Sequence, residues 1–270
     1  MSGSLEGKVC LITGAARGQG RSHALRLASE GAAIVAFDVC GEVTQVGYPA
    51  AAPADLEETV RLVEAAGGRI VARRGDVRSQ SDLDAAVADA LEHFGRLDVV
   101  VANAGVSCWG RIWEIDEEVF EAVVDVNLMG VWRTFKAAIP TLIEQGEGGS
   151  LIAISSVSGL RALPAQAHYS SSKHGVVGLV KTTALDLGPY GIRANSIHPW
   201  GVDTPMGYDQ EMARIMREHR EYRPALAQAL PAPMLAPPDA ISTAVLYLAG
   251  DGSSLVTGIQ LPVDMGATIV

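Results

Sequence analysis

Short apolar segments alternate with longer amphipathic segments along most of the chain. Seven of the short segments are nearly continuous in apolar character, which is typical of strands that are buried on both faces of a parallel sheet. They span residues 9–12, 33–37, 69–72, 99–102, 151–154, 193–197 and 260–263. The pattern therefore predicts seven parallel strands.

The longer segments repeat apolar residues with the period of a helix. Ser79 precedes an apolar stripe that begins at Leu83 and stops before Gly95, so a capped helix is predicted there. Similar patterns cover residues 21–30, 116–144 and 170–187. Strands that alternate with helices predict an α/β fold of three layers, in which right-handed crossovers build a doubly wound parallel sheet. Residues 1–270 are expected to form a single domain of this kind.

Two segments interrupt the alternation. Residues 40–54 (CGEVTQVGYPAAAPA) are too long and too rich in Gly, Ala and Pro for an ordinary connection between a strand and a helix. Residues 204–238 contain one weak helical pattern at 210–223 and then a proline-rich stretch. Loops of this length are usually lids or binding loops, and surface decoration is the alternative.

Composition narrows the classes of function. The chain of 270 residues is 48 % hydrophobic and 19 % charged, which indicates a packed core. Its net charge of −10 disfavours nucleic acid and anionic lipid as partners. Neither a secretory leader nor a membrane-length apolar stretch is visible. Cys10, Cys40 and Cys108 lack the spacing of metal ligands or of a redox pair. We therefore expect a cytoplasmic protein with no metal, no nucleic acid and no membrane partner.

Three glycines lie between the first predicted strand and the first predicted helix. Gly14, Gly18 and Gly20 have the spacing G-x-x-x-G-x-G. Glycine lets the backbone turn sharply and approach a pyrophosphate, whose charge is stabilised at the N-terminus of the following helix. The position between a strand and a helix therefore predicts a dinucleotide site.

An acidic residue ends the second predicted strand, eighteen residues after Gly20. Asp38 can accept hydrogen bonds from both hydroxyls of an adenosine ribose and would repel a 2′-phosphate, which favours NAD over NADP. The two residues that follow, Val39 and Cys40, are not basic. Arg17 could bind a 2′-phosphate, but we interpret it as a residue of the surface or of the cofactor's edge.

A tyrosine and a lysine four residues apart open the predicted helix at 170–187. This spacing places Tyr169 and Lys173 on one face of a helix. An ammonium about 4 Å away would lower the pKa of a phenol by about three units at an effective dielectric constant of about 20. The pair is a candidate acid/base site, although Y-x-x-x-K alone occurs in many unrelated helices.

Further motifs accompany this pair in a fixed order along the chain. They are Asp76-Val77, Asn103-Ala-Gly105, Asn127-x-x-Gly130, Ser156 thirteen residues before Tyr169, and a turn at residues 199–204. With these motifs the chain resembles the short-chain dehydrogenase/reductase family over essentially its full length. The resemblance implies a Rossmann-type fold and hydride transfer that depends on a nicotinamide cofactor, with NAD as the cofactor.

The resemblance also implies roles for individual residues. Tyr169 would be the general acid/base, Lys173 would bind the nicotinamide ribose, and Ser156 would hold the substrate oxygen. Ser155 and Ser158 are neighbouring alternatives to Ser156. Asn127 would place a water that joins Lys173 to solvent, or would only kink its helix. The implied cofactor contacts are Gly14, Arg17, Gly18, Gln19, Gly20, Asp38, Val39, Asp76, Val77, Asn103, Ala104, Gly105, Tyr169, Lys173, Val202 and Thr204.

Four details are similar to one branch, the mycofactocin-associated dehydrogenases, which include carveol dehydrogenase-like proteins. They are the run AARGQGRSHA, the insertion with Tyr48-Pro49, the run LDVVVANAGV and the ending LPVDMG. In that branch the insertion is thought to cover the cofactor, so that NAD stays bound and an external redox partner recycles it. By this resemblance a Tyr-Pro loop would pack over the adenine half. Trp200 departs from the family, in which many members have glycine after the proline of the turn.

Apolar residues stand where family members contact substrate: Val106, Cys108, Trp109, Leu160, Leu163, Ala165 and Met206. They favour a small hydrophobic secondary alcohol, terpenoid or alicyclic, as the substrate. The alternatives are a freely exchanging NAD(H)-dependent 3-oxoacyl or hydroxysteroid reductase, and a non-catalytic NAD-binding protein. We interpret His168 and His198 as satisfied residues of the core or its rim.

The resemblance implies a homotetramer as well. The helical patterns after residues 116 and 170 carry apolar side chains on more than one face, which an inward stripe alone does not need.

Overall fold

The computed structural model describes residues 3–270. Seven strands form one parallel sheet in the order β3-β2-β1-β4-β5-β6-β7. The strands are β1 (Val9–Thr13), β2 (Ala33–Asp38), β3 (Arg69–Arg74), β4 (Val99–Ala102), β5 (Gly149–Ile154), β6 (Ile192–Pro199) and β7 (Gln260–Val263). All seven predicted strands are confirmed, and their bounds shift by at most two residues.

Eight helices flank the sheet. They are α1 (Gly18–Ser29), α2 (Pro53–Ala65), α3 (Gln80–Phe94), α4 (Glu117–Val124), α5 (Gly130–Gln145), α6 (Ala167–Leu187), α7 (Gln210–Glu218) and α8 (Pro238–Ala249). The helix predicted after Ser79 is confirmed: the Ser79 hydroxyl accepts a hydrogen bond from the Asp82 amide, and Gly95 ends the helix with φ of 78°. The single helix predicted at 116–144 is wrong in one respect, because a π-helical turn at Asp125–Met129 separates α4 from α5.

The sheet is covered on both faces. Residues of α3, α5 and α6 pack on one face around Leu11 and Val35, and residues of α1, α2 and α8 pack on the other around Ile12 and Ile34. Helices on both faces of a parallel sheet make the single three-layer, doubly wound domain that the sequence predicts. Within residues 3–270, no helix has both the length and the apolar character that a membrane span requires.

The strand order reverses between β1 and β4. From β1 the chain first builds outward through β2 and β3, and then returns to place β4 on the other side of β1. Ligands of such sheets bind in the crevice beyond the carboxyl ends of the strands at this switch point. The segments that follow Thr13 and Ala102 therefore border the candidate site.

Candidate active site

The glycine loop occupies this crevice. Gly14 and Gly18 have φ of +68° and +54°, a region that favours glycine. A Cβ atom at Gly20 would lie 2.0 Å from the carbonyl oxygen of Gly14, so no side chain fits there. Helix α1 begins at Gly18, and the free amides of its first turn can hold a phosphate.

A cavity of about 530 Å³ lies over this loop. Thirteen of the sixteen predicted cofactor contacts line it: Gly14, Arg17, Gly18, Gln19, Gly20, Asp38, Val39, Asp76, Val77, Asn103, Ala104, Gly105 and Thr204. Tyr169 and Lys173 are outside this lining, and the side chain of Val202 packs in the core on the α1 face. The predicted contacts thus come together in a space shaped for an extended ligand.

Asp38 joins two segments that border the cavity. One oxygen of its buried carboxylate accepts from the amide of Ala16 at 3.0 Å, and the other accepts from the amide of Cys40 at 2.8 Å. Each oxygen keeps a lone pair for a ribose hydroxyl. Arg17 donates to the carbonyl of Pro49, so its guanidinium holds the insertion as well as lining the cavity.

Asn103 fixes the end of β4 against the glycine loop. Its side-chain amide donates to the carbonyls of Thr13 and Gly14 at 2.9 and 3.2 Å. The Thr13 hydroxyl accepts from the amides of Asn103 and Ala104, each at 3.1 Å. Thr13 was not among the predicted site residues, although its place at the end of β1 is the signal that could have indicated it.

The predicted Tyr–Lys pair is buried at the start of α6. The Lys173 ammonium donates to the carbonyl of Ile154 at 2.8 Å and lies 5.6 Å from the centroid of the Tyr169 ring. Burial lowers the pKa of Lys173 to about 8. Burial also raises the pKa of Tyr169, and a hydrogen bond from Ser156 opposes this effect. The pKa of Tyr169 is therefore raised in the protein alone, and not lowered as the spacing of the two residues led us to expect.

The three neighbouring serines have different surroundings. The buried Ser155 hydroxyl donates to the carbonyl of Lys173 at 3.1 Å, and the buried Ser158 hydroxyl lies 3.5 Å from the side-chain oxygen of Gln166. Ser156 is half-buried, and its hydroxyl oxygen accepts from the Ser158 amide at 3.1 Å. Its hydroxyl hydrogen is directed at Tyr169, so the geometry favours Ser156, of the three serines, as the residue that meets a substrate oxygen beside the acid/base candidate.

Asn127 lies in the π-helical turn and is fully buried. Its side-chain amide accepts from the Val106 amide and donates to the Val106 carbonyl, both at 2.9 Å, and also donates to the Ser172 hydroxyl at 3.3 Å. A Cβ atom at Gly105 would lie 3.6 Å from the Lys173 ammonium. Asn127 thus holds the segment after β4 against α6 and beside Lys173.

The insertion that follows β2 extends from the cofactor cavity to the neighbourhood of the Tyr169–Lys173 pair. Helix α2 begins at Pro53, so the irregular segment is shorter than the 40–54 that we expected. The Tyr48 hydroxyl accepts from the Ser107 amide at 3.1 Å, and the Cys108 thiol donates to the Gln45 carbonyl at 3.2 Å. Tyr48 therefore lines the cofactor cavity and also contacts the segment that follows β4.

Comparison with known proteins places this geometry in a family. The family model described as enoyl-(acyl carrier protein) reductase matches residues 14–268. A short chain dehydrogenase from Mycobacterium paratuberculosis, solved bound to NAD, superposes with a TM-score of 0.96 at 46 % identity, covering 99 % of this chain and 100 % of that one. The chain belongs to the short-chain dehydrogenase/reductase family.

Two other members of the short-chain dehydrogenase/reductase family are similar over nearly their full length. An uncharacterized NAD-dependent oxidoreductase of Mycobacterium tuberculosis is 51 % identical over 98 % of this chain and 97 % of its own. Carveol dehydrogenase from Mycobacterium avium, solved in complex with NAD, has a TM-score of 0.94 at 43 % identity and covers 99 % of this chain and 100 % of its own.

Four of the seven predicted substrate residues line one of two cavities, whereas Cys108, Trp109 and Leu160 line neither. Val106 and Met206 line the cavity over the glycine loop, whereas Leu163 and Ala165 line a second cavity of about 370 Å³. Cys108 packs against Tyr169, and burial raises the pKa of its thiol to about 11. Sequence reasoning missed Val46, which packs against the same cluster from the insertion.

The two histidines beside the motifs differ. His198 is satisfied as expected, since its ring bonds to the Ser156 carbonyl at 2.7 Å and to the Ser196 hydroxyl at 2.9 Å. His168 is buried, but neither of its ring nitrogens has a hydrogen-bond partner among the described residues, so that part of the interpretation is wrong. Trp200 lies under the Arg161 guanidinium, 5.4 Å from it.

Proposed function

We propose that the protein oxidises small hydrophobic secondary alcohols, terpenoid or alicyclic in kind, to ketones by hydride transfer to NAD. The observation that carries the proposal is the buried Tyr169–Lys173 pair, with the Ser156 hydroxyl directed at Tyr169, beyond the cavity that begins at Asp38.

The residues of the cavity fit NAD. The glycine loop leaves room for a pyrophosphate beside the free amides of α1, and Asp38 offers acceptors to a ribose while disfavouring a 2′-phosphate. Both solved relatives from Mycobacterium paratuberculosis and Mycobacterium avium bind NAD, which supports the same cofactor here.

The chain's own residues would move the proton and hold the oxygen. When bound, NAD supplies the acceptor for the hydride that leaves the carbinol carbon. Tyr169 removes the hydroxyl proton, and the Ser156 hydroxyl donates to the oxygen as negative charge develops on it. Lys173 is mostly protonated at pH 7, since its pKa is about 8, so its charge favours the phenolate of Tyr169. Asn127 places the water through which Lys173 exchanges protons with solvent.

The substrate class is supported by the apolar surroundings of Tyr169. Cys108, Val123 and Val106 pack there, and they offer no hydrogen bonds to a sugar or a phosphopantetheine arm. A relative from Mycobacterium avium is named carveol dehydrogenase, which makes carveol a rational first substrate.

We also propose that NAD stays bound between turnovers and that an external redox partner, mycofactocin by resemblance, reoxidises it. The contacts of the insertion support this, because it is tied to Arg17 at one side of the cavity and to Ser107 at the other. Burial of even 100 Å² of apolar surface under such a cover stabilises the closed state by about 2.5 kcal/mol.

One experiment separates this proposal from the freely exchanging reductase. The protein is purified and dialysed without added cofactor, denatured, and its supernatant assayed for NAD. The native protein is then incubated with carveol and an artificial electron acceptor. Stoichiometric NAD and ketone formation are expected. Turnover that requires added NAD indicates free exchange, and NAD without any turnover indicates a non-catalytic protein.

A homotetramer in the cytoplasm completes the proposal. Some of the apolar residues on the helices that suggested a tetramer, such as Val123 and Val176, are buried in the core. Four other large apolar side chains on α4, the π-helical turn, α5 and α6 remain exposed, namely Phe120, Met129, Trp132 and Leu185. The three free cysteines suit a reducing compartment. Light scattering tests the assembly, and a monomer would contradict it.

A further inference from the structure

Residues 45–48 of the insertion, here called the tip, contact both the cofactor cavity and the residues around Tyr169. Val46 of this tip packs against the cluster formed by Cys108, Val123 and Tyr169. It lines the cofactor cavity as well, together with Val106 and Met206. A residue of the insertion is therefore in contact with the side of the site where Tyr169 is buried.

Two hydrogen bonds hold the tip in place on either side of Val46. The Cys108 thiol donates to the Gln45 carbonyl at 3.2 Å, and the Ser107 amide donates to the Tyr48 hydroxyl at 3.1 Å. The valine between these anchors cannot turn away without breaking one of them. Its position is thus set by the segment that follows β4, which borders the candidate site.

The tip also contacts the segment at 204–238. The amide of Gln210 donates to the carbonyl of Gly47 at 3.1 Å. A Cβ atom at Gly47 would lie 2.3 Å from a carboxylate oxygen of Asp209, so no side chain larger than that of glycine fits between these two segments. Asp209 is buried and caps α7 through the amides of Glu211 and Met212. The tip therefore contacts three parts of the protein: the segment that follows β4, the cluster around Tyr169 and the start of α7.

We propose that Val46 forms a wall of the alcohol pocket and sets the size of the alcohol that can reach Tyr169. This inference rests on the proposed oxidation of an alcohol. The insertion then has two tasks, since the part near Arg17 covers the cofactor and the tip shapes the substrate pocket. The pocket is incomplete without the insertion, so an alcohol binds to the form in which the tip is already docked.

The physical basis is the volume of one side chain. Removing two methyl groups from a pocket wall makes room for a bulkier substrate, and an aromatic ring in the same place excludes it. One methylene in a hydrophobic pocket changes the ratio of kcat/KM between two substrates by about 10-fold to 200-fold.

The test compares Val46→Ala and Val46→Phe with the wild-type protein, all retaining the cofactor with which they purify. Turnover of cyclohexanol and of carveol, with an artificial electron acceptor present to reoxidise the bound cofactor, gives the ratio of kcat/KM for the bulky over the small alcohol. We expect V46A to raise this ratio at least about 10-fold and V46F to lower it at least as much. Equal ratios in all three proteins would overturn the proposal.

Val43→Ala is the matched control. Val43 belongs to the same insertion and loses the same two methyl groups, but it packs against the core on the α3 face and not against the Tyr169 cluster. Its ratio should equal that of the wild type. A shift in V43A as large as that in V46A would show that general loosening of the insertion, and not a pocket wall, determines size selection.

Calorimetric binding of the same two alcohols keeps the inference separate from the proposed reaction. If the wild-type protein oxidises neither alcohol, the proposed reaction fails, and the binding ratio then decides about the wall. A binding ratio that shifts in opposite directions in V46A and V46F supports the wall. A ratio that does not change, or no binding of either alcohol, overturns it.

Discussion

The hydroxyl of Ser155 donates a hydrogen bond of 3.1 Å to the main-chain carbonyl of Lys173, and both residues are buried. This bond ties the end of β5 to the first turns of α6, where Tyr169 and Lys173 lie. Ser155 therefore has a structural partner, whereas the hydroxyl of the adjacent Ser156 is directed at Tyr169. Of these two neighbouring serines, Ser155 therefore stabilises the fold and Ser156 faces the site of the proposed reaction.

Replacing each serine by alanine should separate their effects on activity. Ser156→Ala removes a donor to the developing oxyanion and should lower kcat/KM about 100-fold to 1,000-fold. It also removes the acceptor of the Ser158 amide, so the free energy of unfolding should fall by about 1 kcal/mol. Ser155→Ala should lower the free energy of unfolding by about 1 kcal/mol and leave kcat/KM within a few-fold. Steady-state kinetics and urea unfolding check both, and the reverse outcome would place the substrate oxygen at Ser155.

Removing the Tyr169 hydroxyl should abolish proton transfer without disturbing the cofactor. Tyr169→Phe is expected to lower turnover about 100-fold to 10,000-fold, because general acid/base catalysis contributes that much. NAD content after denaturation should equal that of the wild type. Tyr190→Phe is the control, since Tyr190 is half-exposed on the surface and should retain full activity. Full turnover in Y169F would contradict the mechanism.

Docking of the insertion should control how slowly NAD leaves. Gly47→Ala places a methyl group 2.3 Å from a carboxylate oxygen of Asp209, and such overpacking costs about 1–3 kcal/mol. NAD should therefore dissociate about 10-fold to 100-fold faster, as measured by its loss during dialysis.

Gly188→Ala is the control for this change. A Cβ atom there has no neighbour within 4 Å, and Gly188 lies outside the lining of the cofactor cavity. Its rate of NAD loss should equal that of the wild type. If both alanine variants release NAD at the same rate, the contact between the insertion and α7 does not retain the cofactor.

Acid should destabilise the protein through its buried histidines. Burial lowers the pKa of His23 to about 3 and those of His168 and His198 to about 4. Below pH 6.5 these histidines bind protons in the unfolded chain but stay neutral in the native state. The free energy of unfolding therefore decreases as the pH falls from about 6.5 toward 4. Between pH 7 and pH 5 the free energy of unfolding should fall by roughly 3 to 6 kcal/mol.

Urea unfolding at the two pH values checks this prediction. His198→Gln should remove about a third of the decrease, because one of the three groups no longer titrates. His93→Gln should leave the decrease unchanged, since His93 is exposed. A decrease that is equal in all three proteins would assign acid sensitivity to other groups.

The fold follows closely from the local sequence. Most strands have a nearly continuous apolar run, and some helix ends are chemically explicit, as at Ser79 and Gly95, so the elements and their order could be predicted. The π-helical turn at residues 125–129 could not, because the polar Asn127 suggests at most a kink in its helix and does not specify a π-helical turn. Their conformation depends on the bonds that Asn127 makes to Val106, twenty-one residues away.

The candidate site, like the fold, could be predicted from the sequence only in part. The glycine loop and the Tyr169–Lys173 pair have fixed spacings and could be recognised, and their positions agree with the structure. The path of the insertion could not be predicted, because it depends on contacts such as Tyr48 with Ser107, which lie fifty-nine residues apart. Val46 has no sequence motif at all, and only packing reveals where its side chain lies.

Asp38 has a consequence for engineering this protein toward NADP. The usual approach replaces the acidic residue at the end of the second strand so that a phosphate is no longer repelled. Here the same carboxylate accepts from the amides of both Ala16 and Cys40, and Cys40 begins the insertion. A neutral, smaller residue would leave those amides without their acceptor and release the insertion at its root. The Asp38 carboxylate thus determines the cofactor preference and also holds the start of the insertion. A redesign toward NADP therefore has to replace both functions together.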